Sequence, residues 1–321
     1  MGEHSPGPLA QRMRAAPMPH APGVATQLRI PFVAGDLACH VLGSGPPVLL
    51  VHSVNAAASA AEMAALAENL AADHRVWNLD LPGFGLSERT DVHYDVARFV
   101  AAVDATMERL LEQEQVEAAD AVALSLSCEF LARSAARRPG RYRSLTFITP
   151  TGFQRGGEKL VEPEGATFEK RWLSALLATP AGKALYAGLT RPASIRFFLK
   201  RTFGRDDVDR RVLEAALANA RVRGAEHAPL AFVSGRLFSR DIAHVYRSLT
   251  QPIWMPHGVR GAFADMSASG WTRERPNWRL QPFDAGAMPH VEDPALFTAE
   301  LRRHVAAAAG AVRDHAAMGA P

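Results

Sequence analysis

The sequence has few cysteines, no long apolar run and almost no excess of charge, and each shortage excludes a class of protein. Cys39 and Cys128 are the only cysteines among 321 residues, too few and too far apart for a disulfide framework or a metal-binding pair. Because no apolar run reaches the length of a membrane span, we expect no membrane partner. Residues 1–27 lack the apolar stretch of a secretion signal, and their composition predicts a disordered N-terminal arm.

The charge balance is nearly neutral for a chain of this size. Lys and Arg number 36 against 33 Asp and Glu, which gives a net charge of +3. No Lys/Arg run is interleaved with aromatic residues, so a nucleic-acid partner is not expected. The two thiols favour a reducing compartment, and we predict a cytoplasmic protein with no metal and no other cofactor. The composition, 48% hydrophobic and 21% charged, is that of a globular chain with a large core.

Short apolar runs alternate with helical patterns from residue 28 onward. The runs of strand length are Pro47–Ser53, Arg75–Leu81, Asp120–Leu126 and Ser144–Thr149. The first of them is continuously apolar, which is typical of a parallel strand buried on both faces. Between the runs, apolar residues recur at helical spacing, as in Tyr94–Gln113. This alternation predicts an α/β fold with a doubly wound, mostly parallel sheet.

The pattern changes between residues 152 and 249, where the chain is mostly helical and rich in arginine. Strand-like runs resume at Pro252–Gly258 and Trp278–Phe283, and a last helix follows. A helical block inserted before the last strands of one sheet is typical of a lid. We therefore predict an α/β core over residues 28–151 and 250–321, interrupted by a helical lid over residues 152–249.

The sharpest local feature is a serine turn, residues 123–128, that joins a predicted strand directly to a predicted helix. A serine presented on so tight a turn needs small residues two positions before and two positions after it, and Ala123 and Ser127 are small. The pattern predicts that Ser125 is a nucleophile. The alternative is that Ser125 or Ser127 caps the following helix, which is a common role for serine.

The serine turn is one of four motifs that occur in the order in which α/β-hydrolases carry them. The others are Pro47–Ser53, Leu79–Ser87 and Gly286–His290. From about residue 28 to residue 309 the sequence resembles the α/β-hydrolase family of the serine hydrolase type, with a lid. The resemblance implies a sheet of the eight-stranded type. It leaves the reaction open, because this fold supports several chemistries.

The resemblance also implies residue roles. They are Ser125 as nucleophile, His290 as general base, and the backbone N–H groups of Val54 and Leu126 as oxyanion donors. Ser53, which stands where the family usually has Gly, and Asn55 add polar groups near the oxyanion site. These two side chains either donate to a substrate oxygen or hold the turn. His52 and His257 end strands nearby, and we predict that they shape the backbone around the site.

His290 is favoured as the base on physical grounds as well. A serine hydroxyl is a poor nucleophile unless a base takes its proton. His290 follows the last predicted strand, which would bring it to the carboxyl edge of the sheet, where Ser125 also lies and where ligands of open α/β sheets bind. The alternative is a surface histidine that precedes the last helix.

The acid that would orient His290 is missing from its expected place. The loop after Pro252–Gly258 carries Ala262 where relatives would place the acid. Asp265 is the nearest carboxylate, three residues on. Three alternatives therefore stay open: the acid is Asp265, it is Glu292 or Asp293 beside the histidine, or it has been lost. Loss of a triad member lowers the rate by up to ~10⁴.

Two functions follow from these features. The first is a hydrolase that cleaves ester-type acyl bonds of a small, partly apolar molecule through an acyl-enzyme on Ser125. The second is a catalytically altered hydrolase-fold protein that binds or rearranges a ligand without an acyl-enzyme, which Ala262 and the relaxed serine turn favour. The lid aromatic residues either line the pocket or pack the lid helices; they are Trp172, Phe197, Phe198 and Phe203. Basic residues in Arg191–Arg211 favour either an anionic substrate or a solvated face.

Overall fold

Eight strands form one sheet at the centre of the described chain, which comprises residues 25–155 and 165–318 of a computed structural model. The strands are β1 (Thr26–Ile30), β2 (Leu37–Leu42), β3 (Pro47–Val51), β4 (Arg75–Asp80), β5 (Ala119–Leu124), β6 (Tyr142–Ile148), β7 (Ile253–Gly258) and β8 (Trp278–Phe283). Their order across the sheet is β1-β2-β4-β3-β5-β6-β7-β8. β1, β2 and β4 pair antiparallel, and the remaining pairs are parallel. The predicted mostly parallel, eight-stranded sheet is confirmed.

The first strand begins slightly earlier than the sequence indicated. Thr26 and Gln27 pair with Val41 and His40 of β2, so they belong to the sheet and not to the arm predicted over residues 1–27. Their pairing follows from the edge that β2 offers to an extended neighbour. The rest of the predicted arm, residues 1–24, lies outside the described residues.

Helices cover both faces of the sheet. They are α1 (Ala64–Leu70), α2 (Val96–Glu114), α3 (Ser127–Arg137), α4 (Arg171–Leu177), α5 (Pro180–Leu189), α6 (Pro192–Phe203), α7 (Arg210–Asn219), α8 (His227–Val233), α9 (Ile242–Ser248), α10 (Pro289–Glu292) and α11 (Pro294–Met318). Short 3-10 helices form at Ala60–Met63, Pro139–Arg141 and Ser267–Glu274. Within the described ranges, no helix combines the length and the apolar character that crossing a bilayer requires.

Alternate residues of the central strands supply two separate cores. Leu49 and Phe147 pack with α2 and α3 on one face, whereas Leu50 and Ile148 pack with α1 and α11 on the other. Burial of a side chain of this size stabilises the fold by about 1.5–3 kcal/mol. Burial on both faces explains the continuous apolar run in β3.

The six helices α4 to α9 lie between β6 and β7 in the chain. Two charged side chains of α3 hold the last part of this segment. Glu129 accepts a hydrogen bond of 3.0 Å from the Ser239 N–H, and Arg133 forms a buried ion pair with Asp241. The helix that follows the serine turn therefore also anchors the inserted segment. The division into a core and a lid over residues 152–249 stays a prediction.

Candidate active site

The link between β5 and α3 is a strained turn. Ser125 has φ +56°, a left-handed conformation that is uncommon outside glycine, and its N–H donates to the Ile148 carbonyl at 2.9 Å. Close packing holds the turn, because the Ser127 hydroxyl donates to the His52 carbonyl at 2.5 Å. α3 begins at Ser127 without a capping hydrogen bond from any side chain, so the alternative that Ser125 or Ser127 caps the helix is wrong.

The Ser125 side chain is half-buried and has no hydrogen bond to another described residue. A backbone conformation of this kind costs about 1–3 kcal/mol, and such strain often accompanies function. Because the turn lies at the carboxyl edge of the sheet, it presents the hydroxyl where ligands bind in open α/β sheets.

Two backbone N–H groups beside the turn are unengaged. Neither Val54 N–H nor Leu126 N–H donates a hydrogen bond to another described residue. Val54 follows β3 and Leu126 follows β5, and these strands are neighbours in the sheet. Leu126 also immediately precedes α3, where the helix dipole favours negative charge. Unpartnered donors at adjacent strand ends are suited to stabilise a developing oxyanion.

A buried carboxylate organises the loop around Val54. Glu62 accepts hydrogen bonds from the Ser53 N–H at 2.9 Å and from the Asn55 side-chain amide at 2.8 Å. The same amide donates to the Ser53 hydroxyl at 3.0 Å, and Asn55 Oδ1 accepts from the Ala57 N–H at 2.8 Å. Of the two roles left open for Ser53 and Asn55, these contacts are those of groups that hold the turn.

Glu62 itself was not predicted as a residue of the site. Its signal in the sequence is weak: a single acidic residue in the Ala-rich stretch before α1. A buried carboxylate without partners would be costly, and the partners become visible only once the loop is folded.

His290 forms no hydrogen bond with the serine turn among the described residues. It is fully buried in α10, and its Nε2 is 2.9 Å from the Glu62 carbonyl oxygen, to which it donates. Its Nδ1 has no partner among the described residues, and the ring packs on Phe297 with centroids 5.7 Å apart. Burial lowers the pKa of His290 to about 4. No hydrogen bond joins His290 to Ser125 within the described chain, so this arrangement does not support the predicted base.

The start of α10 explains where the His290 ring points. Pro289 begins α10, so His290 is held inside a helical turn and not in a short loop before the last helix, where the sequence predicted it. The ring is thereby directed at the carbonyl of the 3-10 helix Ala60–Met63, 228 residues earlier in the chain. Such a long-range contact has no signature in the sequence near His290.

The predicted acids are also engaged elsewhere. Asp265 is exposed and accepts hydrogen bonds from the N–H groups of Ser267 at 3.0 Å and Arg155 at 3.2 Å. Hydrogen bonding by Ser267 holds the pKa of Asp265 below its usual value. It therefore fixes the start of the 3-10 helix Ser267–Glu274 and forms no contact with His290. Ala262 donates its N–H to the Arg201 carbonyl of α6 at 3.0 Å.

The two carboxylates that flank His290 have structural partners. Glu292 bridges Arg260 at 2.6 Å and the Gly286 N–H at 2.6 Å. Asp293 accepts from the Leu296 N–H at 3.0 Å at the start of α11. No Ser-His-acid chain of hydrogen bonds is therefore present among the described residues.

The other two histidines at the strand ends differ in one respect. Both ring nitrogens of His52 are used: Nδ1 donates to the Ser53 carbonyl at 2.6 Å, and Nε2 accepts from the Leu81 N–H at 3.0 Å. His257 uses only Nδ1, 3.2 Å from the Gly258 carbonyl, and its Nε2 has no partner among the described residues. Burial lowers the pKa of both histidines, which favours the neutral rings.

The lid aromatic residues do not form a common lining. Phe203 is fully buried in the core to which α11 also contributes, whereas Trp172, Phe197 and Phe198 have exposed fractions of 68%, 54% and 45%. Packing is thus the role of Phe203. The remaining three face solvent in this structure, because α4 and α6 direct few residues inward. In the described part of the chain, no three His, Cys, Asp or Glu side chains cluster as metal ligands.

Comparisons with known proteins agree with the α/β architecture. A family model for the alpha/beta hydrolase fold matches residues 46–226. The structure is similar to that of the 2-hydroxy-6-oxo-6-phenylhexa-2,4-dienoate hydrolase from Rhodococcus sp. strain RHA1, with 16% identity, 88% and 98% coverage of the two chains and a TM-score of 0.69. No curated protein matches the sequence.

Two further solved structures are similar over nearly the whole chain. A meta-cleavage product hydrolase from Pseudomonas fluorescens IP01 has 17% identity, 88% and 98% coverage and a TM-score of 0.66. A haloalkane dehalogenase variant from Bradyrhizobium elkanii has 17% identity, 91% and 100% coverage and a TM-score of 0.65. At these identities the similarity shows the fold alone.

Proposed function

The chain belongs to the α/β hydrolase fold family, and on that premise we propose that it hydrolyses ester-type acyl bonds through Ser125. One observation carries the proposal. Ser125 has a left-handed backbone at the β5–α3 turn, and its hydroxyl is unengaged beside two unpartnered N–H groups.

The chemistry follows from these groups. The Ser125 oxygen attacks the carbonyl carbon, and the resulting oxyanion accepts hydrogen bonds from the N–H groups of Val54 and Leu126. The bond from that carbon to the alcohol oxygen then breaks, the alcohol departs with the proton that Ser125 has given up, and an acyl-enzyme remains. Water attacks the acyl carbon, the bond to the Ser125 oxygen breaks, and a proton from the water returns to Ser125. Because each donor is part of a folded loop, it needs no reorganisation when charge develops.

The substrate class in this proposal is a small, partly apolar molecule. Phe153, just after β6, is buried and stacks on Trp271 with ring centroids 6.0 Å apart, so the packing beyond this strand is apolar. In this proposal the segment over residues 152–249 acts as a lid, and the protein functions in the cytoplasm without a cofactor.

A second candidate function is favoured by one contact. Nε2 of His290 is committed to the Glu62 carbonyl, so the histidine that the family resemblance assigned to Ser125 is not available to it. A hydrolase-fold protein that binds or rearranges a ligand without an acyl-enzyme fits that contact. The two candidates differ in whether Ser125 is nucleophilic.

Labelling with a fluorophosphonate probe separates them. An activated serine forms a bond to phosphorus and releases fluoride, so the intact mass should rise by one adduct in the wild type and not in Ser125→Ala. Ser248→Ala, at the exposed last residue of α9, is the matched control and should be labelled as the wild type is. An unlabelled wild type, or equal labelling of Ser125→Ala, contradicts the acyl-enzyme proposal and favours the second candidate.

A further inference from the structure

Hydrogen bonds hold the two successive peptide groups that lead to Val54. The first joins His52 to Ser53: its carbonyl accepts from the Ser127 hydroxyl, and its N–H donates to Glu62 Oε2 at 2.9 Å. The second joins Ser53 to Val54, and its carbonyl accepts from His52 Nδ1 at 2.6 Å. Because this peptide group is planar and trans, its N–H points away from its carbonyl. The Val54 N–H is therefore directed away from the His52 ring and stays free to donate.

One buried side chain is bonded on both sides of Val54. Glu62 Oε2 accepts from the Ser53 N–H, and Oε1 accepts from the Asn55 side-chain amide at 2.8 Å. That amide is fixed in turn, because it also donates to the Ser53 hydroxyl at 3.0 Å and its Oδ1 accepts from the Ala57 N–H at 2.8 Å. Since both Glu62 oxygens accept, an amide group in their place would bring a donor against a donor.

The backbone that carries Glu62 is itself held. Glu62 belongs to the 3-10 helix Ala60–Met63, whose first N–H, that of Ala60, donates to Asp80 Oδ1 of β4 at 2.7 Å. The Glu62 carbonyl accepts from His290 Nε2 of α10 at 2.9 Å. The carboxylate thus extends from a helix that both the sheet and α10 hold, and in this arrangement His290 supports that helix.

We propose that Glu62 is a positioning residue that fixes the Val54 N–H to receive the oxyanion formed at Ser125. The inference rests on the proposed acyl transfer at Ser125. A donor that is already in place stabilises developing charge without reorganisation, which makes it more effective than a mobile one. The contribution of Glu62 is one of geometry, because a negative charge near an oxyanion is by itself unfavourable. Removal of the charge therefore raises the rate if charge dominates and lowers it if geometry does.

The first test measures kcat and KM for p-nitrophenyl acetate in purified full-length variants. Glu62→Gln keeps the size of the side chain and replaces one acceptor oxygen by an amide donor. We expect kcat to fall by about 10- to 10²-fold with KM changed little, because loss of one oxyanion donor costs up to about 10³-fold. The control is Glu68→Gln, which removes the same charge at an exposed position of α1 and should match the wild type.

A second readout reports on the oxyanion site without turnover. Phenylboronic acid forms a tetrahedral adduct with a nucleophilic serine, and such adducts bind in proportion to transition-state stabilisation. Its dissociation constant should rise in Glu62→Gln by the same factor by which kcat/KM falls, and it should not change in Glu68→Gln. A fall in turnover with an unchanged dissociation constant would overturn the proposal, because Glu62 would then act elsewhere than on the oxyanion.

An exchange of the two groups guards against a loss of structure in the single variant. Glu62→Gln combined with Asn55→Asp places the carboxylate and the amide on opposite sides of the same contact. The introduced amide then donates to the introduced carboxylate, and its oxygen accepts from the Ser53 N–H. The double variant should return kcat and phenylboronic acid binding to within about threefold of the wild type, since the two residues act as one unit. A double variant that is folded by circular dichroism and recovers neither would overturn the proposal.

The outcomes for Glu62 and for Ser125 are separable. If Ser125 is required and takes the fluorophosphonate label while Glu62→Gln stays within about twofold of the wild type or gains activity, the positioning role is wrong and the proposed function stands. If Ser125 takes no label and supports no turnover, both are overturned.

Discussion

The serine turn and the loops after β7 and β8 hold the two sets of residues predicted for a hydrolase site, and they differ in how far their geometry supports that prediction. At the turn, Ser125 is left-handed and its hydroxyl is free of described partners. In the loops, Asp265 fixes a 3-10 helix, Ala262 donates to α6, and His290 is buried against the Glu62 carbonyl. The comparison indicates that the geometry predicted for the nucleophile can be present without the geometry predicted for the base and the acid. The former is local to one turn, whereas the latter depends on several distant loops.

The largest expected effect is on the side of the serine turn. Ser125→Ala should lower ester turnover by at least about 10³-fold, because water cannot replace a nucleophile held in the strained turn. The thermal midpoint should not fall, since alanine removes one hydroxyl that has no described partner. The measurement is steady-state hydrolysis with circular dichroism of the same sample. Turnover above a tenth of the wild-type rate would show that the turn is not the reactive part.

The next effect concerns the histidine of the other set. The pKa of His290 is lowered to about 4, so the folded state holds it neutral while the unfolded chain binds a proton below about pH 6.5. The contribution of neutral His290 to the free energy of unfolding is therefore fully present above pH 6.5. It is lost as the pH falls towards 4, and the total loss is about 3 kcal/mol.

Urea unfolding between pH 7 and pH 4.5 measures this contribution. In His290→Gln the free energy of unfolding should fall less steeply with decreasing pH than in the wild type. Some fall should remain, because burial also lowers the pKa of His304 to about 4. The exposed His244→Gln is the control and should keep the wild-type slope. An unchanged slope in His290→Gln would mean that His290 is not held neutral in the fold.

A smaller effect should distinguish parts of the inserted segment. The helices α4 to α7 each bury one or two residues, whereas α3 buries nine. Hydrogen exchange should therefore find α4 to α7 opening before the sheet strands, while α9, which packs on α3, exchanges more slowly. Uniform protection across the segment and the sheet would contradict a lid over residues 152–249.

The smallest expected effect is at Asp265. Because the hydrogen bonds of Asp265 go to Ser267 and to the Arg155 N–H and none goes to His290, Asp265→Asn should change kcat by less than about twofold. Ala262→Asp is the companion variant. The backbone N–H of residue 262 should still donate to the Arg201 carbonyl of α6 in this variant. A strong loss of kcat in Asp265→Asn would restore it as the acid of the site.

The fold could be predicted from the sequence to a large extent because its signals are local. Continuous apolar runs such as Pro47–Ser53 mark buried parallel strands, and the small residues around Ser125 mark the tight turn. The role of His290 could not be predicted, because it depends on Pro289 starting a helix and on a carbonyl 228 residues away.

One measurement tests the central claim, that the serine turn presents a reactive nucleophile. The protein is mixed with p-nitrophenyl acetate, quenched in acid within the first turnover and analysed by intact mass and peptide mapping. The account predicts one added acetyl group per chain, located on Ser125 and absent from Ser125→Ala. Turnover of the ester with no acetyl group on Ser125 at any quench time would contradict it.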